Sequence, residues 1–222
     1  RQIDAIAERV GSEEKAFELA ALTEPTCVAY NAMFERAGGF RPGHFVNVVG
    51  AGPIGLAAIA LAKAGGASTI AAFEVSPQRR ELAKAVGADY VYDPLEVSAG
   101  EILMELSKGE GFDFHVEAAG VPEIVIPEME KGLAINSKIV QIGRAAKRVP
   151  MYLEAFQVRR AQAYGAQGHS GHETFPNVIR MVASGRIDLS PIITSKYGLE
   201  DTVAAIAKSI DRTDGKILVK PN

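Results

Sequence analysis

Six consecutive residues, Gly50-Ala51-Gly52-Pro53-Ile54-Gly55, have the types and spacing needed to hold a diphosphate. The first glycine permits a tight turn, the second lets the backbone approach the phosphates, and the third lets a helix pack closely on a strand. The pattern alone is weak, because glycine turns also arise for packing. Its flanks give it meaning. "HFVNVV" before it is β-branched and apolar, as a strand buried on both faces should be. "PIGLAAIALAKA" after it reads as a helix, with Pro53 in the first turn and Gly65-Gly66 at the end. Free amides and the positive end of that helix would face the anion. Glu74 closes the next strand nineteen positions beyond Gly55. A carboxylate there accepts hydrogen bonds from a ribose hydroxyl pair and repels a 2′-phosphate, which favours NAD. Arg79 and Arg80 lie close by and keep NADP open as the second reading.

The remaining reactive side chains are few. His169 and His172 sit in a glycine-rich loop, "QGHSGHETF", where imidazoles could donate to or accept from the hydroxyls of a polyol. Ordinary loop hydrogen bonding is the plainer alternative. Metal ligation by this pair falls short of the three or four ligands that a zinc site needs. His44 in a turn and His115 in a strand read as structural. Cys27 has no neighbouring base and reads as a small buried residue or a pocket wall, not as a nucleophile.

These residues require a scaffold that the rest of the chain supplies. "ASTIAAFE" is a second strand, "QRRELAKAV" a helix opened by Ser76-Pro77 and stopped by Gly87, and "ADYVYD" a third strand. "ILMELSKG" (helix), "FDFHVEAAG" (strand), "IPEMEKGLA" (helix), "SKIVQIG" (strand) and "RRAQAYGAQG" (strand) continue the alternation. Strands separated by helices imply an α/β fold, a doubly wound parallel sheet with right-handed crossovers. The uncharged run from Phe45 to Ala62 is therefore a buried strand and a sheet-facing helix. It is not a membrane span, which would not carry Gly50, Gly52, Pro53 and Gly55 at its middle. "TFPNVIRMVASG", "PIITSKY", "LEDTVAAIAKSI" and "KILVK" break the rhythm and are expected to pack elsewhere.

Composition narrows the function classes. The 222 residues are 47% apolar and 23% charged, with a net charge of −3, as in a globular cytoplasmic protein. That charge excludes a nucleic-acid footprint, which needs clustered Lys and Arg. One cysteine excludes an internal disulfide framework and fits a reducing compartment. The opening "RQIDAIAERVGSEEKAFELAA" has no initiator Met, reads as charged helix and linker, and suggests a fragment.

"ALTEPTCVAYNAMFERAGGFRPGHFVNVVGAGPIGLAAIALAKAGGASTIAAFEVSPQRRELAKAVGADYVYDP", followed by "VEAAG", "IVQIG" and "KILVKP", resembles the zinc-dependent medium-chain dehydrogenase/reductase family, in its sorbitol (polyol) branch. Within it, "FQVRRAQAYGAQGHSGHETFPNVIRMVASG" is similar to scyllo-inosose dehydrogenases. The resemblance implies a Rossmann domain over residues 28–168. It also implies flanking segments, 1–27 and 169–222, that pack toward a GroES-like catalytic domain upstream. It implies an NAD-dependent oxidation of a secondary alcohol on a polyol or cyclitol, with catalytic zinc held mostly by that upstream domain. Glu24, in "TEPT", matches the carboxylate at or near the zinc; a charged helix cap before Pro25 is the plainer reading. Gly50, Gly52, Pro53, Ile54 and Gly55 match the pyrophosphate turn, and Glu74 with Arg79 the ribose and adenine edge. Ala119 and Gly120 match the bend after the fourth strand. Ile142, Gly143 and Arg144 match the loop beside nicotinamide, and Ala166, Gln167 and Gly168 the segment that holds the carboxamide. Lys216 lies where some relatives place a cation near the pyrophosphate. The usual paired glycine before the fifth strand is Asn136-Ser137 here. A homo-oligomer is expected, and the fragment alone should bind NAD without turning over. The alternatives are a threonine or simple alcohol dehydrogenase of the same family, and a stand-alone NAD(H)-binding regulatory module.

Overall fold

The computed structural model describes residues 2–169 and 171–221. Three helices, α1 (Gln2–Val10), α2 (Glu13–Ala20) and α3 (Thr23–Tyr30), run into a π-helical turn, Asn31–Arg36. The alternating part follows: β1 (Phe45–Val49), α4 (Pro53–Ala64), β2 (Thr69–Phe73), α5 (Pro77–Val86), β3 (Tyr90–Tyr92), α6 (Ala99–Leu106), β4 (Phe112–Glu117), α7 (Pro122–Lys131), β5 (Leu133–Gln141), α8 (Leu153–Arg159) and β6 (Gln162–Gly165). The six strands form one parallel sheet in the order β3-β2-β1-β4-β5-β6, so the expected doubly wound sheet is present. The order reverses between β1 and β4, which opens a crevice beyond their carboxyl ends.

Strand parity divides the core. Val46, Val48, Ile70, Ala72, Phe114, Val116 and Val140 join one apolar cluster with α3 and α4. Val49, Ala71, Phe73 and Ile139 join the other with α6 and α7, because successive side chains point to opposite faces. On the second face, two polar residues are fully buried as a pair: Asn47 Nδ2 lies 3.1 Å from His115 Nδ1. Burial pulls the His115 pKa down to about 4, so the ring is neutral; its Nε2–H donates to the Phe112 carbonyl, leaving Nδ1 to accept from Asn47. His115 is thus a structural residue, as its sequence context indicates.

The last two strands leave this sheet, as the broken rhythm implies, but the segment before them does not pack elsewhere: Val182, Ile187, Leu189 and Ile192 join the first apolar cluster. After α9 (Thr174–Ala183), β7 (Ile193–Gly198), α10 (Thr202–Ser209) and β8 (Lys216–Lys220) follow; β7 and β8 form a parallel pair of their own. Glu18 on α2 accepts from Lys196 (2.7 Å) and Lys220 (3.3 Å), tying the first helices to this pair. Its side chain is 9% exposed, and the Lys196 hydrogen bond holds its carboxyl below the usual range.

Two boundaries differ from the sequence reading. The helix placed at "IPEMEKGLA" begins earlier, at Pro122, and ends at Lys131. Leu133 and Ala134 instead enter β5, where four residues, Ala134 to Ser137, face the single Asp113 of β4 as a wide bulge. Asn136 takes φ 62° in that bulge, a left-handed conformation that asparagine tolerates, and the Ser137 hydroxyl donates to the Phe112 carbonyl at 2.7 Å. Asn136 and Ser137 therefore shape this bulge without a glycine.

Candidate functional site

The glycine turn lies at the carboxyl end of β1, at the switch point of the sheet. Gly50 has φ 92°, and a Cβ there would come within 2.7 Å of the Ala119 amide nitrogen. A Cβ on Gly55 would overlap the Gly50 carbonyl oxygen. Gly52 differs: the nearest atom to its Cβ would be Arg79 Nη1, at 3.8 Å. The first and third glycines are therefore required by packing, while the second faces open space where a ligand backbone can approach. Gly52 is the N-cap of α4, so the amides of Gly52, Ile54 and Gly55 have no intrahelical acceptor and point at that space; Pro53 has no amide to lose.

Glu74 follows the end of β2 and is 7% exposed. Its Oε2 accepts from the Ala51 amide (2.6 Å) and its Oε1 from the Ser76 amide (2.9 Å), so the carboxylate is fixed against the turn with lone pairs to spare. Arg79 Nε donates to the Asp214 carbonyl at 2.8 Å, which brings the loop before β8 to the turn. Burial holds the Arg79 pKa below its ordinary value, with Glu74 acting in the opposite direction. Arg80 is turned away, bound to Asp93 at 2.8 Å and to the carbonyls of Glu74 and Val75. Arg79 Nη1 would lie 3.8 Å from a Cβ on Gly52, which puts this cation at the turn; Lys216, at the start of β8, lies two residues from the carbonyl that Arg79 holds.

Across the switch point, a cleft of about 700 Å³ is lined by Ile54, Ile142, Gly143, Arg144, Ala166, Gln167 and Gly168, with Val28 and Gln141. Seven residues expected from the resemblance thus share one cavity. Ala119 and Gly120 form the neighbouring rim, and a Cβ on Gly120 would lie 3.9 Å from the Arg144 backbone.

Three residues that the sequence reading missed hold this half in place. Glu117 is fully buried: its Oε1 accepts from the amides of Ala119 (3.0 Å) and Gly120 (2.7 Å), and its Oε2 from Gln141 Nε2 (2.6 Å). Gln141 Nε2 also donates to the Gly143 carbonyl at 2.6 Å. Asn31, in the π-turn, donates from Nδ2 to the carbonyls of Gly168 (3.0 Å) and Gln167 (3.4 Å). A carboxylate at the end of a strand that reads as central to a parallel sheet was the available signal for Glu117.

The expected catalytic residues separate into two pairs. His169 Nδ1 lies 3.2 Å from Glu24 Oε1, whereas His172 Nδ1 lies 3.8 Å from Glu35. Among the described residues, no group of three or more His, Cys, Asp or Glu could hold a metal ion. Among these residues Glu24 has no set of companions that would complete a zinc site. Cys27 is buried, and burial, with the Glu24 charge, pushes its thiol up to about 12. At about pH 8 the native protein should therefore resist iodoacetamide while the unfolded chain reacts, and rapid labelling of the native thiol would contradict this burial.

Residues 53–184 match the zinc-binding dehydrogenase family. The chain belongs to the zinc-binding dehydrogenase family. The scyllo-inosose 3-dehydrogenase of Thermotoga maritima is 44% identical over 198 residues, covering 87% of this chain and 50% of that protein. The L-threonine 3-dehydrogenase of Pyrococcus abyssi is 37% identical over 184 residues, covering 81% of this chain and 51% of that protein. Among solved structures of this fold, 2R,3R-butanediol dehydrogenase from Bacillus subtilis superposes with a TM-score of 0.80 at 29% identity, covering 91% of this chain and 57% of that one. This chain spans about half the length of these curated relatives.

Proposed function

We propose that the protein is an NAD-dependent dehydrogenase of a secondary alcohol on a polyol or cyclitol, and that this chain is its coenzyme-binding part. The observation that carries the reading is the open Gly52 between two glycines that packing requires, at the switch point of a parallel sheet. The free amides of the turn fit a diphosphate. The fixed Glu74 carboxylate fits a ribose diol and opposes a 2′-phosphate, and Arg79 stands at the edge. When bound, a nicotinamide supplies the hydride acceptor. The loops at 142–144 and 166–168, held by Gln141 and Asn31, orient its ring end and exclude water from one side.

Glu24 and His169 form a polar edge suited to substrate hydroxyls, with His172 beside them. A zinc ion in the whole protein would find one carboxylate in Glu24 and the rest of its ligands outside this chain. The flanking segments, 1–27 and 169–222, face that further part. In support, Leu199, Val203, Ile206 and Ile210 are 60–79% exposed in a stripe at helical spacing along α10 and the turns that flank it. Exposed Leu153 and Val158 on α8, with Tyr152 at its N-cap, lie just before the open edge strand β6 and support a homo-oligomer. No helix among the described residues is long and apolar enough to cross a membrane, and a cytoplasmic location is proposed.

Glu74→Ala should weaken NAD about tenfold or more and narrow the preference over NADP. Calorimetric titration of both coenzymes checks this, and unchanged affinities would remove Glu74 from the ribose. Oxidation of the side-chain alcohol of threonine is the second reading, favoured by the relatives at 37% identity. A panel of cyclitols and linear polyols against threonine separates the two.

A further inference from the structure

At the opposite end of the sheet, below the amino ends of β1 and β4 and beside the β5 bulge, lies a second cavity, of about 510 Å³. The bulge creates one wall by carrying Asn136 away from β4. Gly38 and Gly39, with φ 66° and 67°, turn the chain around another, and Phe40 and Phe114, with ring centres 5.7 Å apart, close the back. The titratable groups facing this space are Arg41, Lys138, His44 and Asp113. Lys138 Nζ donates to the carbonyls of Ala37 (2.7 Å) and Gly39 (3.0 Å), which leaves one of its three protons unused. Among the described residues, the exposed Arg41 guanidinium has no hydrogen-bond or ion-pair partner. Asp113 is engaged elsewhere: its Oδ2 accepts from the Phe45 amide at 2.8 Å, and its Oδ1 lies 4.0 Å from His44 Nδ1. Burial first, and then the Arg41 charge, hold the Lys138 pKa below its ordinary value, as expected of a partly buried cation with a second cation near it.

We propose that this cavity binds a phosphate-type oxyanion between Arg41 and Lys138. The planar guanidinium can take two oxygens in a fork, and the ammonium a third as a point charge. The volume exceeds that of a bare phosphate, so the natural ligand is a small phosphorylated metabolite whose remaining groups reach Asn136. The site is separate from the glycine turn: the five residues of β1 hold the two ends roughly 15 Å apart. It therefore serves a second molecule, not the reacting one, and stands independently of the proposed dehydrogenase activity.

The test is calorimetric titration of the whole protein with inorganic phosphate at constant ionic strength, with saturating ADP present to occupy the coenzyme turn. Saturable binding that persists with ADP, and that weakens about tenfold or more in Arg41→Gln, supports the site. Arg41 is exposed, so this variant should keep the wild-type circular dichroism. Lys138→Met should weaken binding as well, with its folding checked in the same way because Lys138 also caps the π-turn. Absence of saturable binding, its abolition by ADP, or equal affinity in wild type and a folded Arg41→Gln would overturn the proposal.

Discussion

Gly55→Ala is expected to cost about 3 kcal/mol of stability and to abolish dinucleotide binding, whereas Gly52→Ala, three residues away, should cost under about 1 kcal/mol and still weaken NAD about a hundredfold. The difference follows from what each added methyl would meet. At Gly55 it would overlap a backbone carbonyl, that of Gly50, and backbone cannot move aside without separating α4 from β1. Gly50 is itself confined, since its own left-handed φ places it against Ala118 and Ala119 of the neighbouring strand end. The strain would therefore spread across the switch point to β4. At Gly52 the methyl enters open space and only touches the end of Arg79, at 3.8 Å. What it removes is room for a phosphate oxygen against the first-turn amides, together with a small preference of the N-cap for glycine over alanine. Urea unfolding and calorimetry on both variants read the two effects separately. A Gly55→Ala protein as stable as wild type, or a Gly52→Ala protein with wild-type NAD affinity, would remove the physical basis of the assignment.

The contrast also shows which parts of the site were legible in the sequence. β1, the turn and α4 are local: a β-branched run, three spaced glycines and a proline at the first helical position each report their own conformation. Glu74 was legible for the same reason, because a fixed crossover length sets its distance from the turn. The helix at Pro122–Lys131 was misplaced because it contains two prolines, and the internal one, Pro127, imitates a helix start. α8 carried no periodic signal because none of its residues is buried. The π-turn at Asn31–Arg36 shifts the helical hydrogen bonds by one residue, which no residue type announces, yet it carries Asn31, which holds the 167–168 loop. Glu117, Gln141 and Asn31 share a deeper reason for being missed. Each acts through a partner on a different element, and which atoms meet depends on strand order and register.

Glu117 supports the second large prediction for this reason. The carboxylate has no exposed surface and no cation among its hydrogen-bond partners; three donors hold it, two from the bend after β4 and one from Gln141 on β5. Gly143 lacks a side chain where a Cβ would strike this carboxylate, so the loop after β5 is shaped around it as well. Glu117→Ala leaves the Ala119 and Gly120 amides without their acceptor and Gln141 with only the Gly143 carbonyl, and should cost about 3 kcal/mol of stability. Glu117→Gln is nearly isosteric but exchanges one acceptor for a donor. Whichever way its amide turns, an N–H then faces either the Ala119 and Gly120 amides or Gln141 Nε2. Gln141 cannot relieve the conflict by flipping, since its carboxamide oxygen would then meet the Gly143 carbonyl. The glutamine variant should therefore lose about 1–2 kcal/mol, less than the alanine variant but more than its shape suggests. Both loops border the cleft proposed for the nicotinamide end, so each variant should also bind NAD more weakly, while ADP, which lacks that end, should bind nearly as in wild type. Equal losses for NAD and ADP would show that Glu117 supports the fold in general and does not position the two loops.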